Sequence, residues 1–364
     1  MSKKGVTYVD AGVDIDKADQ AVAAMKQHIE STYNGNVLSH VGNFGGLFGL
    51  RDDWVLVASV DGVGTKLQVA TRAGRHNTIG RDLVHHCLDD LTAQGPVRPL
   101  FFLDYFGMIN LDPIVAEQVV RGLCEALAEY NCPLLGGETA EMPGTYVLGQ
   151  YDLVGMIVGI IARNKIIDGS TIQDGDMAIG LGSDGLGTNG YSLARKVVFE
   201  IMGRDIDDTL YTGPSGAKVS VADELLRVHR CYYEPLLPLM NKGLIKAAAH
   251  ITGGGIPGNL VRVLPEGAEA HLDHTLWAEH TPPIFKIIRE QSGQGWTDYF
   301  KTFNDGIGMT LVVSPEDVQE TLLQLHTSRE RAWTIGQIHI AANTQPAVHI
   351  HQKGITYHYP ADRK

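Results

Sequence analysis

The sequence predicts a two-domain, mixed α/β (α+β) architecture, and three observations carry that prediction. The chain has 364 residues, 44% of them hydrophobic and 20% charged, an ordinary globular composition at a length that favours two cores over one enlarged core. Short Val-rich apolar runs alternate with stretches of helical periodicity in both halves. A turn-rich passage at 163–178, RNKIIDGSTIQDGDMA, separates the halves, so the boundary is drawn near residue 170, with an N-terminal domain of 1–170 and a C-terminal domain of 171–364.

Taken in order, residues 14–31 place Ala21, Val22, Met25 and Ile29 at helical spacing behind an acidic start, which reads as an amphipathic helix. The glycine-rich passage 35–50 reads as a loop, either simply flexible or shaped for close approach to a ligand by Gly42, Gly45, Gly46 and Gly49. WVLVASV (54–60) is a strand, 79–94 a helix, PLFFLDYFG (99–107) a buried strand, 113–130 a helix, 132–138 a strand and 151–162 another. The second half offers a strand at 177–183, a helix at 191–202, helices around 221–248, a glycine loop at 251–260 and a strand within 303–313. Sheets covered on one side by helices fit this order.

Composition excludes several roles. With 30 Lys+Arg against 42 Asp+Glu, a net charge of −12 and no basic run, the chain has nothing to follow a nucleic-acid backbone. No run of 18 apolar residues is present, so no membrane span is expected. Cys87, Cys124, Cys132 and Cys231 form no CxxC pair, which fits a reducing cytoplasm.

The chemistry-bearing residues are acids, glycines, amides and one lysine. Asp61-Gly62-Val63-Gly64-Thr65-Lys66 follows a strand and joins a candidate metal ligand, a close backbone approach and a phosphate counter-charge. Its spacing is not that of a Walker A loop, and a DG turn also suits a structural hairpin. Asp82, Asp89 and Asp90 on the 79–94 helix could reach the same place or form a solvated face. Gly136-Gly137-Glu138 ends a buried strand, and a charge emerging there needs a partner, which ranks Glu138 above Glu141. Thr188-Asn189 at a helix start either receives an anion and orients an amide or caps the helix. Gly253-Gly254-Gly255 reads as a backbone nest for phosphate. His85, His86, His349, His351 and His358 lack zinc-type spacing, so surface or packing roles are expected.

Those residues stop at a phosphate-handling α/β protein with a metal. The ordered blocks YVDAGVDID, FGGLF, DGVGTKL, TIGRDLV, PLFFLDYF, GGETAEMPG, NGYSLARK, HITGGGIPGNL and TFNDGIGM resemble the phosphoribosylformylglycinamidine cyclo-ligase family, the aminoimidazole ribonucleotide synthetases, from end to end. The resemblance implies an ATP-binding N-terminal domain, a C-terminal domain completing the substrate site, and a homodimer joined by a barrel-like meeting of N-terminal sheets. It implies that formylglycinamidine ribonucleotide and ATP give aminoimidazole ribonucleotide, ADP and phosphate. The formyl amide oxygen is phosphorylated, the ribose-bearing nitrogen attacks, and phosphate leaves. By position in the matching blocks, Asp61, Asp90 and Glu138 are expected to hold Mg²⁺. Lys66 would meet the ATP phosphates, with Gly45, Gly46, Gly64, Thr65 and Gly137 around the nucleotide. Thr188, Asn189, Gly253, Gly254 and Gly255 would hold the ribonucleotide, and Lys66, Asp90 and Asn189 would be catalytic.

Three positions depart from the family pattern, with Gly187 in place of His, Asp89 in place of Asn and Asp305 in place of a common Cys. Gly187 removes an imidazole that could act on substrate, and Asp89 adds charge beside the expected metal. They leave two alternatives standing: phosphoryl transfer to another small acceptor, and an ATP-binding regulatory paralogue without turnover.

Overall fold

In the computed structural model, which describes residues 5–51, 53–341 and 344–361, the main strands divide into two sheets on either side of the turn-rich passage. The first half contains α1 (Ile15–Glu30), β1 (Gly46–Arg51), β2 (Trp54–Gly62), α2 (Lys66–Ala73), α3 (Ile79–Thr92), β3 (Arg98–Met108), α4 (Pro113–Glu129), β4 (Leu134–Glu141) and β5 (Tyr151–Ala162). Its strands lie in the order β1-β2-β5-β3-β4. All pairs are antiparallel except β3 with β4, and α4 supplies the crossover that a parallel pair needs.

Local chemistry accounts for the helix ends. Asp112 accepts hydrogen bonds from the Ile114 and Val115 amides and Pro113 follows it, fixing the start of α4. Gly74 ends α2 at φ 60°, a left-handed cap that glycine adopts without a Cβ penalty. Inward-facing Val55 and Val57 of β2 share a core with Ile79, Leu83 and Leu91 of α3. The opposite face of this sheet leaves Phe48, Trp54, Val60 and Met156 exposed, with Val60 and Met156 directly paired across β2 and β5.

The second half begins with β6 (Met177–Gly182), α5 (Tyr191–Arg195), β7 (Thr209–Thr212), β8 (Lys218–Ser220), α6 (Val221–Leu225), α7 (Tyr233–Lys242), β9 (Ile245–His250) and α8 (Gly255–Leu260). It continues through β10 (Ala268–Asp273), α9 (Pro283–Ser292), α10 (Trp296–Thr302), β11 (Ile307–Val313), α11 (Val318–Thr327), β12 (Ala332–Ile340), β13 (Ala347–Gln352) and β14 (Ile355–Pro360). Seven strands pair in the order β14-β13-β10-β12-β6-β11-β9, while β7 and β8 form a separate ribbon.

Three local expectations are corrected. The second sheet is covered on both faces, because every residue of β11 is buried. Leu311 and Val313 pack with Leu236 of α7 and Leu325 of α11, while Ile307 and Val312 join Ile256 and Leu260 of α8. Residues 221–248 are not all helical: the Ala-rich run at its end forms β9, where pairing with β11 outweighs the helical preference of alanine. The 35–50 passage is only partly loop, since Gly46 onward is β1 and Val37 bridges Phe48.

Candidate active site

The C-terminal end of β2 and the last turn of α3 put Asp61 and Asp90 on the wall of a chamber of about 330 Å³. Gly46 and Phe44 form one side, while Thr252 and Arg262 from the second half close the other. Arg262 is held for this position: its guanidinium lies 3.8 Å from the Phe44 ring centroid and donates to the Gly42 carbonyl at 2.9 Å and Asn259 Oδ1 at 3.1 Å. Ser59 donates to Asp90 Oδ2 at 2.8 Å and His250 Nδ1 lies 2.9 Å from Asp90 Oδ1, so that carboxylate is fixed from both halves.

A chain of polar contacts leads from the chamber into the junction between halves. Asp61 Oδ2 stands 2.7 Å from His86 Nε2, and His86 Nδ1 stands 2.6 Å from Thr188 Oγ1. Burial alone would lower the His86 pKa. The Asp61 charge, reinforced by Asp90, instead raises it to about 9, so His86 is an imidazolium near neutrality. Burial opposes ionisation of Asp61, yet His86 overcomes it and holds the carboxyl below its ordinary value. Behind them, His229 Nε2 and His250 Nε2 are 3.1 Å apart. Burial and the neighbouring cations keep His229 well below the ordinary imidazole value.

The structure gathers some sequence-selected residues and disperses others. Asn189 donates to Thr188 Oγ1, and a Cβ at Gly253 would stand 3.5 Å from Asn189 Oδ1, so the Thr188-Asn189 turn and the glycine run share one edge. Gly254 and Gly255 have φ of 96° and 63°; a Cβ at Gly255 would lie 1.9 Å from the Phe300 carbonyl, so close packing already requires that glycine. Gly46 lines the chamber, whereas Gly45 packs its backbone on Val57. Gly64 turns at φ 68° and Thr65 Oγ1 meets Ser192 Oγ at 3.1 Å, tying this turn to α5.

Lys66 and Glu138 land away from their expected places. Lys66 is fully buried; its ammonium donates to Asp82 Oδ1 at 2.9 Å and to the carbonyls of Gly187 and Arg227 at 3.2 and 2.5 Å. All three ammonium protons have acceptors, so this side chain joins the halves instead of facing phosphate. Glu138 is exposed on β4, opposite Tyr105 of β3. β4 lies three strand positions from β2, about 14 Å at ordinary strand spacing, too far to share one ion with Asp61 in the same chain. Gly137 is required by the sheet, because a Cβ there would sit 2.1 Å from Asp104 Oδ1.

Comparison with known proteins decides the affiliation. Residues 42–161 match the AIR synthase related protein N-terminal domain and 173–344 the corresponding C-terminal domain. Phosphoribosylformylglycinamidine cyclo-ligase of Geobacter metallireducens is 46% identical over 342 residues, covering 93% of this chain and 96% of the relative. That of Alkaliphilus oremlandii is 43% identical over 337 residues, covering 92% and 97%. The chain belongs to the phosphoribosylformylglycinamidine cyclo-ligase family. Its fold is also that of thiamine-monophosphate kinase from Stenotrophomonas maltophilia, with TM-score 0.60, 17% identity and coverage of 90% and 95%. Thermotoga maritima PurL, solved with ADP, gives TM-score 0.57 and 13% identity over 94% of this chain and 50% of its own.

Within this cyclo-ligase the three departures acquire physical settings. Gly187 has φ 69°, and a Cβ there would approach His229 Nδ1 to 2.9 Å. An imidazole therefore still adjoins position 187, contributed by His229. Asp89 does not add its charge beside the chamber: it is fully buried, accepts from the Tyr232 amide at 2.7 Å, and burial pushes its pKa well up. Asp305 is a buried hub that accepts from Trp277 Nε1 at 3.1 Å and Tyr299 Oη at 2.7 Å and faces His274 Nε2 at 2.9 Å.

Sequence reasoning missed His86, His229 and Arg262. His86 stands four residues before Asp90 on α3, a same-face spacing that was legible. Its assignment to surface or packing is corrected, because it is buried between Asp61 and Thr188. No local signal marked Arg262 or His229, which reach the site only through the second half's fold.

Proposed function

We propose that this cyclo-ligase closes the imidazole ring of aminoimidazole ribonucleotide in purine biosynthesis, with ATP in the Asp61–Asp90–Arg262 chamber and formylglycinamidine ribonucleotide along the Thr188-Asn189 and Gly253 edge. The observation carrying this reading is the continuous Asp61–His86–Thr188 path, which links the chamber to the Thr188-Asn189 edge through side chains 2.7 and 2.6 Å apart. A formyl amide oxygen leaves poorly until phosphorylated, so the protein's work is to align two substrates and balance moving charge. Arg262 supplies positive charge to a triphosphate, Asn189 orients the amide, and His86 holds Asp61 and Thr188 in register. The resident metal fits Asp61 and Asp90, whose oxygens are hard donors lying within 4.8 Å of one another together with His86. Bound there, Mg²⁺ would screen phosphate charge.

The same reading makes residues 1–170 the nucleotide-binding and dimerising domain. Dimerisation through the first sheet is supported by exposed Phe48, Trp54, Val60 and Met156, an apolar face that water disfavours. Among the described residues all four cysteines are free, which supports a cytoplasmic setting, and no helix is long and apolar enough to cross a membrane.

The test is to mix purified protein, ATP, Mg²⁺ and formylglycinamidine ribonucleotide and measure ADP and aminoimidazole ribonucleotide together. Equal amounts are expected. ADP without imidazole would mean failed cyclisation, and ATP binding with neither product would favour the regulatory paralogue or another acceptor.

A further inference from the structure

The second sheet carries a histidine cluster far from the chamber in sequence and role. β10 and β13 are parallel neighbours with His271 opposite His349, and β13 places His349 opposite His358 of β14. The His271 and His349 rings stack with centroids 4.4 Å apart at 12°. Glu269, two residues before His271, projects from the same face by the strand period. Its Oε2 is 3.6 Å from His271 Nε2 and 3.4 Å from His349 Nε2.

We propose that Glu269, His271 and His349 form a binding site for a divalent transition metal of the zinc class. Their ligand atoms lie within 4.8 Å of one another. A tetrahedral Zn²⁺ with bonds of about 2.0–2.1 Å sets its ligands about 3.3 Å apart, close to the observed carboxylate-to-imidazole separations. The outer nitrogens are arranged to support this. His271 Nδ1 lies 3.2 Å from His351 Nε2, and His351 Nδ1 lies 2.9 Å from Thr356 Oγ1. His349 Nδ1 lies 3.3 Å from His358 Nδ1. With each Nδ1–H donated outward, both Nε2 lone pairs face the Glu269 carboxylate, the tautomer and second layer characteristic of metal-binding histidines. The independent sign is His349 Nε2, which is buried with no hydrogen-bond partner.

Two imidazoles and one carboxylate select a borderline cation over Mg²⁺. Three protein ligands on a largely buried face that water still reaches leave a fourth position to water. The ion would clamp β10 to β13, whose residues follow the segment matched by the family's C-terminal model, and so hold the terminal hairpin to the sheet.

The full chain, stripped with chelator, is titrated with Zn²⁺ by calorimetry and with Co²⁺ by visible absorption, in millimolar Mg²⁺. The expected result is saturable Zn²⁺ binding, tetrahedral cobalt bands, and a higher Tm with Zn²⁺. Glu269→Gln and His349→Ala should each weaken binding by more than about tenfold, while His229→Gln, in the buried His86–His229–His250 group, leaves it intact. Glu269→Gln is nearly isosteric at a solvent-reached site, so it serves even where His349→Ala folds poorly. Binding weaker than about 100 µM, or binding unchanged in both variants, would overturn the site; loss in His229→Gln alone would move the ion to the buried group.

Discussion

Replacing Lys66 by methionine separates the two roles this lysine has been assigned. The substitution keeps the side-chain length but removes the cation from a fully buried pair, leaving Asp82 with only the His229 amide, at 2.7 Å, as donor to Oδ1. Asp82 Oδ2 has no hydrogen-bond partner to begin with. Breaking a buried pair from one side costs about 3–5 kcal/mol, and the Gly187 and Arg227 carbonyls lose their donor as well. The expected drop in Tm is roughly 5–10 °C, followed by circular dichroism at fixed protein concentration. Lys66→Met/Asp82→Leu should recover a large part of that loss, because no buried charge is then left alone. In protein folded at low temperature, KM for ATP should stay within about twofold of the parent. A Lys66→Met protein as stable as the parent, with KM for ATP raised by more than about tenfold, would refute the buried-strut account and restore the phosphate contact.

Other consequences are as specific. Asp90→Asn should lower kcat at saturating ATP by about a hundredfold or more and raise the Mg²⁺ needed for half-maximal rate; an unchanged Mg²⁺ profile would remove Asp90 from the metal set. His86 is raised from an ordinary 6.5 to about 9, so the stability it contributes is complete below pH 6.5 and is lost as pH climbs through 9. Thermal scans across that window should show a decline that His86→Gln flattens. Asp305→Ala orphans Trp277, Tyr299 and His274 in the core and should cost about 2–5 kcal/mol in chemical denaturation, whereas a cost under about 0.5 kcal/mol would deny its hub role. Under the proposed pairing of first sheets, Val60→Glu, on the exposed apolar face, should shift sedimentation toward monomer without changing circular dichroism.

The fold was legible wherever a local rule operated alone. The helical stretch 113–130 became α4, the Val-rich run at 54–60 became β2, and the apolar run at 151–162 became β5. β9 was hidden because its Ala-Ala-Ala run is locally a helix former and only a neighbouring strand makes it extended. In the site, Asp61, Asp90, Thr188 and Asn189 were visible as polar residues at element ends, and the order of blocks carried the family.

The sequence by itself determined the two-part organisation, the family and the supply of acids, glycines and amides, because propensity, periodicity and motif order act over short stretches of chain. Only the tertiary structure decided how that supply is shared. It turned Lys66 inward to Asp82, set Glu138 three strands from Asp61, brought Arg262 to the chamber wall and stood His229 beside Gly187. The physical reason is that a charge's role depends on which partners and how much water surround it. Those partners lie up to 220 residues away, as Gly42 does from Arg262, and no local pattern encodes that distance.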